Sequence, residues 1–188
     1  MTTSFRLRGR HAQATARPAT LRKQLVLVTL LLLYLPGCGN VHPLPEGTRA
    51  DRIVIVKSVH TMSLLRGAEV IRTYKIAIGR GPVGAKIRSG DHKTPEGEYL
   101  IDGKKADSKF HRALHISYPN QADRERAQQR NVNPGGDIEI HGIENGLGWI
   151  GGLHQSVDWT DGCVAVTDSE IEEIWKSVRI GTPVEIRP

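Results

Sequence analysis

The sequence predicts a mainly β domain carrying one or two helices. Three features carry that prediction: short β-branched runs, Gly- and Pro-rich breaks between them, and one strong helical stripe near the C-terminus. Arg52-Ile-Val-Ile-Val-Lys57 reads as the first strand. Thr61–Leu65 and Glu69–Ile78 read as strand, turn, strand around Arg66-Gly67-Ala68. Residues 79–97 are Gly-rich, contain Pro82 and Pro95, and predict a long loop. Glu98–Asp102 and Leu114–Tyr118 are short strand candidates, and residues 120–129 predict a polar surface helix. Asp137-Ile-Glu-Ile-His141 alternates as a half-buried strand does, and Cys163–Val166 is a further short apolar run. Residues 168–177 give the clearest helix: Asp168 is placed to cap it, Glu172 is placed to support that cap, and Ile171, Ile174, Trp175 and Val178 form the stripe. Gly181 ends it and Pro183–Ile186 closes the domain as a strand. No internal repeat is present.

The charge is unevenly distributed. The chain has 188 residues, 26 Lys and Arg, and 20 Asp and Glu. Residues 1–38 hold six of the basic residues and no acidic one, so the remainder balances at 20 of each sign. With no basic excess left to pair with phosphates, the main compositional argument for nucleic acid as a partner is removed, and none is expected. The basic start leads into Leu25–Leu35, an apolar run of about 11 residues where a spanning helix needs roughly 20. This is the pattern of a secretory signal. Leu35-Pro36-Gly37-Cys38 follows and resembles a bacterial lipobox, with Pro36 as the departure. The expected organisation is a signal over 1–38 ending in a lipidated Cys38, a Pro- and Gly-bearing linker over 39–50, and a folded domain over 51–188. The expected location is the bacterial periplasm, with a lipid anchor in the outer membrane and no other membrane contact.

Export changes the meaning of the two cysteines. If Cys38 is lipidated or removed, Cys163 has no disulfide partner in an oxidising compartment. It is then either buried and inert or kept for its reactivity. His141 is followed by Gly142, and Cys163 by sequence follows Thr160-Asp161-Gly162. Imidazole can accept a thiol proton near neutral pH, and glycines beside both groups leave room for substrate. The Gly162–Cys163 turn can also aim backbone N–H groups at an oxyanion.

The order His141-Gly142, a Gly-rich gap, then Thr160-Asp161-Gly162-Cys163 resembles the YkuD-type L,D-transpeptidase catalytic domain. Thr94-Pro95-Glu96-Gly97-Glu98-Tyr99 and Gly79-Arg80-Gly81-Pro82 extend the resemblance upstream. Leu114–Asn120 and Gly135–Gly142 are similar to the YafK-like branch. The resemblance covers residues 52–187. It implies a β-sandwich-like fold, Cys163 as nucleophile, His141 as base, backbone support from Gly142 and Gly162, and no metal or organic cofactor. The implied substrate is the peptidoglycan stem peptide, cleaved through a thioester, with an amine acceptor or a wall-linked protein as second partner. Water as acceptor would instead make a carboxypeptidase, or an amidase releasing a wall-linked protein. A silent peptidoglycan-binding lipoprotein is the alternative of another class.

The departures from the family pattern are Asp161, where most members have His, Ala165, where many have Asn or Arg, and a long gap between His141 and Cys163. Thr160 and Asp161 are candidate substrate contacts, Asp161 having a turn role as its alternative. His154 and Asp158 fall in the gap and suit a flap, Trp149 and Trp159 suit groove lining or flap packing, and His111 and His115 suit structural roles. A metal site from His141, His154 and Cys163 lacks any closely spaced ligand pair.

Overall fold

The computed structural model describes Met1 and residues 43–188. The signal, Cys38 and residues 39–42 lie outside the described residues. Eight strands run in chain order: β1 Arg52–Val56, β2 Thr61–Arg66, β3 Glu69–Lys75, β4 Gly97–Ser108, β5 His111–Ile116, β6 Glu139–His141, β7 Val164–Ala165 and β8 Pro183–Arg187. They form one sheet in the order β3-β2-β1-β8-β4-β5-β6-β7. The β1–β8 and β6–β7 pairs are parallel, and the other neighbours are antiparallel.

Two helices accompany the sheet, α1 at Gln121–Gln129 and α2 at Asp168–Ser177. Two 3-10 segments add to them, Lys57–Val59 and Gly148–Ser156. This corrects the expected β-sandwich-like domain with one or two helices. One continuous strand order replaces two facing sheets, and the helical segments number four among the described residues. The longer 3-10 segment escapes sequence reading because Gly151, at φ 54°, breaks it into two short turns with no sustained apolar period.

The core is built as the alternation requires. Ile53 and Ile55 of β1, Met62 and Leu64 of β2, Leu114 of β5, Ile140 of β6 and Val164 of β7 are fully buried. Ile171 and Ile174 of α2 join them, so the helix covers the sheet with its predicted stripe. The helix is capped by Thr167, not by Asp168. Thr167 Oγ1 accepts the Glu170 N–H at 3.3 Å, and Glu170 Oε2 accepts the Thr167 N–H at 2.8 Å. Asp168 is thereby freed for the site.

The compact unit begins at Pro43, which places part of the expected linker in the domain. Leu44 packs on the core, its N–H donating to Glu173 Oε1 at 2.5 Å, and Ala50 is buried. Strand β4 runs to Ser108, six residues beyond the predicted end. Residues 103–108 lack alternating hydrophobicity, and pairing to β5 supplies what their own propensity does not. Among the described residues, no helix is long and apolar enough to cross a membrane.

Candidate active site

Parallel pairing of β6 with β7 sets Ile140 beside Val164 and His141 beside Ala165. The isoleucine and valine point into the core. His141, Ala165 and, two residues before it, Cys163 therefore share the opposite face. The two halves of the sequence motif, 22 residues apart in the chain, meet on adjacent strands.

His141 is buried and oriented. Its Nδ1 lies 2.6 Å from the carbonyl oxygen of Gly142. A carbonyl only accepts, so Nδ1 carries the proton and Nε2 keeps the free lone pair a base requires. Phe110 stacks on the ring at 4.4 Å between centroids, and Trp159 meets it edge-on at 5.8 Å. Burial under these rings lowers the imidazole pKa, while the Gly142 carbonyl and the Glu139 charge oppose that shift. The ring is thus kept neutral.

Gly142 follows His141 for a steric reason. A Cβ there would lie 2.6 Å from Asp168 Oδ1 and 3.1 Å from the Phe110 carbonyl. Asp168 Oδ1 also accepts the Ile143 N–H at 3.0 Å, which pins the chain as it leaves His141. The Gly142 N–H donates to the carbonyls of Phe110 and Arg112, so the residue supports the base through its carbonyl and offers no free donor.

Cys163 is partly buried and carries a free thiol. Burial pushes its pKa up to about 11, and the carboxylates of Glu139, Asp161 and Asp137 add to the rise. The Glu139 backbone, hydrogen-bonded to the sulfur, pulls the other way. The thiol donates weakly to the Asp137 carbonyl at 3.5 Å, and no hydrogen bond joins it to His141 among the described residues. The resting pair is therefore a neutral thiol and a neutral imidazole. Proton transfer requires the thiol to turn from Asp137 toward Nε2.

The loop before Cys163 is built tightly. Gly162 has φ 131°, and a Cβ there would come within 2.7 Å of the Lys93 carbonyl oxygen. Thr160 is buried; its hydroxyl donates to the Cys163 carbonyl at 2.7 Å and accepts the Gly162 N–H at 3.2 Å. This commits the Thr160 hydroxyl to the turn and occupies the Gly162 N–H. Asp161 is exposed and held between Arg80 Nη2 at 2.8 Å and His92 Nδ1 at 2.7 Å. That links the nucleophile loop to the long loop over 79–97.

The gap residues divide. Trp159 packs in the site and donates its indole N–H to His154 Nδ1 at 3.3 Å. His154 is buried behind it, with its pKa lowered by burial, and acts as an acceptor in the flap. Asp158 accepts the Ile78 N–H and pairs with His60, both at 3.0 Å. Trp149 is 80% exposed and away from the core. His111 pairs with Glu172 and His115 with Asp102. Among the described residues, no group of three or more His, Cys, Asp or Glu is arranged to hold a metal ion.

Sequence reasoning missed Phe110, Asp168, Glu139 and Lys105. Only Glu139 carried a signal, since alternation along Asp137–His141 already puts it on the face of His141.

The geometry defines a mainly β domain in which one sheet brings a free cysteine and an oriented histidine close together from distant parts of the chain. The YkuD L,D-transpeptidase catalytic domain matches residues 50–186, and the chain belongs to that family. Its relation is to the YafK-like branch: YafK of Escherichia coli strain K12 is 33% identical over 112 residues. That alignment takes in 58% of this chain and 38% of YafK, so the chain spans well under half of that relative. Among solved structures, the helical cell shape determining protein Pgp2 from Campylobacter jejuni is 22% identical with a TM-score of 0.56, over 80% of this chain and 51% of that one. Bd1075 of Bdellovibrio bacteriovorus is 25% identical with a TM-score of 0.51, over 74% of this chain and 48% of that one. The first of these likenesses speaks to fold alone.

Proposed function

We propose that the protein is an exported cysteine acyltransferase acting on peptidoglycan stem peptides, with Cys163 as nucleophile and His141 as base. The observation that carries this reading is the placement of a free thiol and an Nε2-basic imidazole on one face of adjacent strands, within a domain of this family. His141 Nε2 takes the thiol proton as the sulfur attacks the carbonyl of the third stem residue. The N–H of Cys163, which has no acceptor among the described residues, is positioned to meet the oxyanion. Collapse returns the proton from His141 to the leaving D-amino acid and leaves a thioester on Cys163. An amine acceptor then attacks, giving up its proton to His141, and the thiol is regenerated.

Incubation of the purified protein with labelled muropeptides tests the acceptor. Cross-linked dimers or exchange of the terminal amino acid are expected. Shortened monomers alone would make the enzyme a hydrolase, and an unchanged substrate with a folded protein would favour the silent binding lipoprotein. A lipid anchor at Cys38, favouring the outer membrane, is part of the same proposal. Cys38→Ser is expected to move the protein from the membrane fraction to the soluble periplasmic fraction, and an unchanged distribution would reject lipidation.

A further inference from the structure

The register that brings His141 beside Ala165 has a second result. Continued two residues back, past the Ile140–Val164 pair, the same register sets Glu139 opposite Cys163 on the face of His141. Glu139 also pairs with His115 of β5, while His141 pairs with Ala113, and Ala113 with Lys105 of β4. Two rows therefore cross the sheet side by side. One carries Lys105, Ala113, His141 and Ala165; the other carries His115, Glu139 and Cys163. Lys105 reaches diagonally between them, its Nζ 2.7 Å from Glu139 Oε1. The carboxylate is nearly buried, at 12% side-chain exposure, whereas the lysine that holds it is 56% exposed. A single residue thus addresses the sulfur twice, through its backbone hydrogen bond and through its side-chain charge.

We propose that Glu139, held by Lys105, is a positioning residue that keeps the nucleophile protonated at rest and favours proton transfer to His141 during attack. The proposal rests on Cys163 being the nucleophile. A carboxylate facing the sulfur penalises the thiolate and favours the imidazolium. At rest the penalty on the thiolate keeps the proton on sulfur. Once the sulfur bonds to the substrate carbonyl, the negative charge passes to the carbonyl oxygen, and the penalty on the sulfur lapses. The stabilisation of the imidazolium remains. Lys105 sets the strength of both effects by neutralising part of the carboxylate's charge.

The other ionisable groups facing this row are few. His115 of β5 bonds Asp102 Oδ1 at 2.5 Å and has its Nε2 3.9 Å from Asp137. Asp137 is 94% exposed, where solvent screens it, and Asp161 is held by Arg80 and His92. Glu139 is the least exposed of the three carboxylates acting on the sulfur, so its charge is the least screened.

Alkylation of Cys163 by iodoacetamide between pH 6 and 10 tests the proposal without any wall substrate. At pH 8, Glu139→Gln is expected to alkylate roughly three- to tenfold faster than the native protein, and Lys105→Met roughly two- to fivefold slower. The double variant should lie closer to Glu139→Gln than to Lys105→Met, because the lysine acts mainly through the carboxylate and its direct attraction for the thiolate is the smaller effect. Thermal melts on the same samples separate charge from folding. If both single variants melt lower but alkylate at the native rate, the pair is a structural ion pair only and the proposal fails. If Glu139→Gln does not fold, Lys105→Met, altered at a half-exposed side chain, decides by itself. The assay reads thiol ionisation alone, so its failure leaves the nucleophile assignment standing, whereas loss of that assignment would come from turnover measurements.

Discussion

Cys163→Ala is expected to abolish turnover of muropeptides, by at least about 10³-fold, while the domain stays folded. No other group on this face can form the thioester: Thr160 is tied into its turn, and His141 serves as the base. The structural cost is small. The thiol's polar contacts are a weak hydrogen bond to the Asp137 carbonyl at 3.5 Å and one with the Glu139 backbone, and loss of such a contact is worth on the order of 1 kcal/mol. Muropeptide turnover followed by mass spectrometry, with a thermal melt of the same preparation, checks both halves. A carbapenem should also add to the native protein at Cys163 and not to the variant. Activity that survives in the alanine variant, with a native melt, would sink the mechanism.

His141→Gln should lower turnover by roughly 10²- to 10⁴-fold, the usual span for removal of a positioned general base. The pH profile supplies the sharper result. Burial lowers the His141 pKa from the ordinary imidazole value, and burial raises the Cys163 thiol to about 11. The active form has both groups neutral. The acid limb of kcat/KM should therefore lie below the ordinary imidazole range, and the alkaline limb near pH 11, leaving a broad plateau across neutrality. His141→Gln should remove the acid limb; an acid limb that persists unchanged would assign it to another group. Folding stability follows the same signs. Because His141 is harder to protonate when folded, its contribution is lost as pH falls through the imidazole range. Because Cys163 is harder to ionise when folded, its contribution is lost as pH rises above the ordinary thiol range toward 11.

Much of the architecture was legible in local pattern. Arg52–Val56, the turn at Gly67 and the stripe of Ile171 and Ile174 are short-range signals, and each element formed where its pattern placed it. The differences from that pattern arose from strand pairing and from turn and cap geometry. Strand β4 extends through polar residues because β5 is there to pair with it. Thr167 takes the cap that Asp168 was expected to provide, and Asp168 instead accepts the Ile143 N–H. Thr160 and Gly162 spend their polar groups on each other and on the Cys163 carbonyl, a matter of turn geometry that residue type does not specify.

The sequence alone singled out His141 and Cys163 as the candidate pair, since those residue types, their glycine neighbours and the family resemblance are all linear information. Tertiary structure decided how they are tuned. The Gly142 carbonyl selects the imidazole tautomer, Phe110 and Trp159 strip water from the ring, and Glu139 faces the sulfur across a strand pair. Protonation depends on solvation and on charge at a few ångströms, and those distances exist only once strands far apart in the chain have paired.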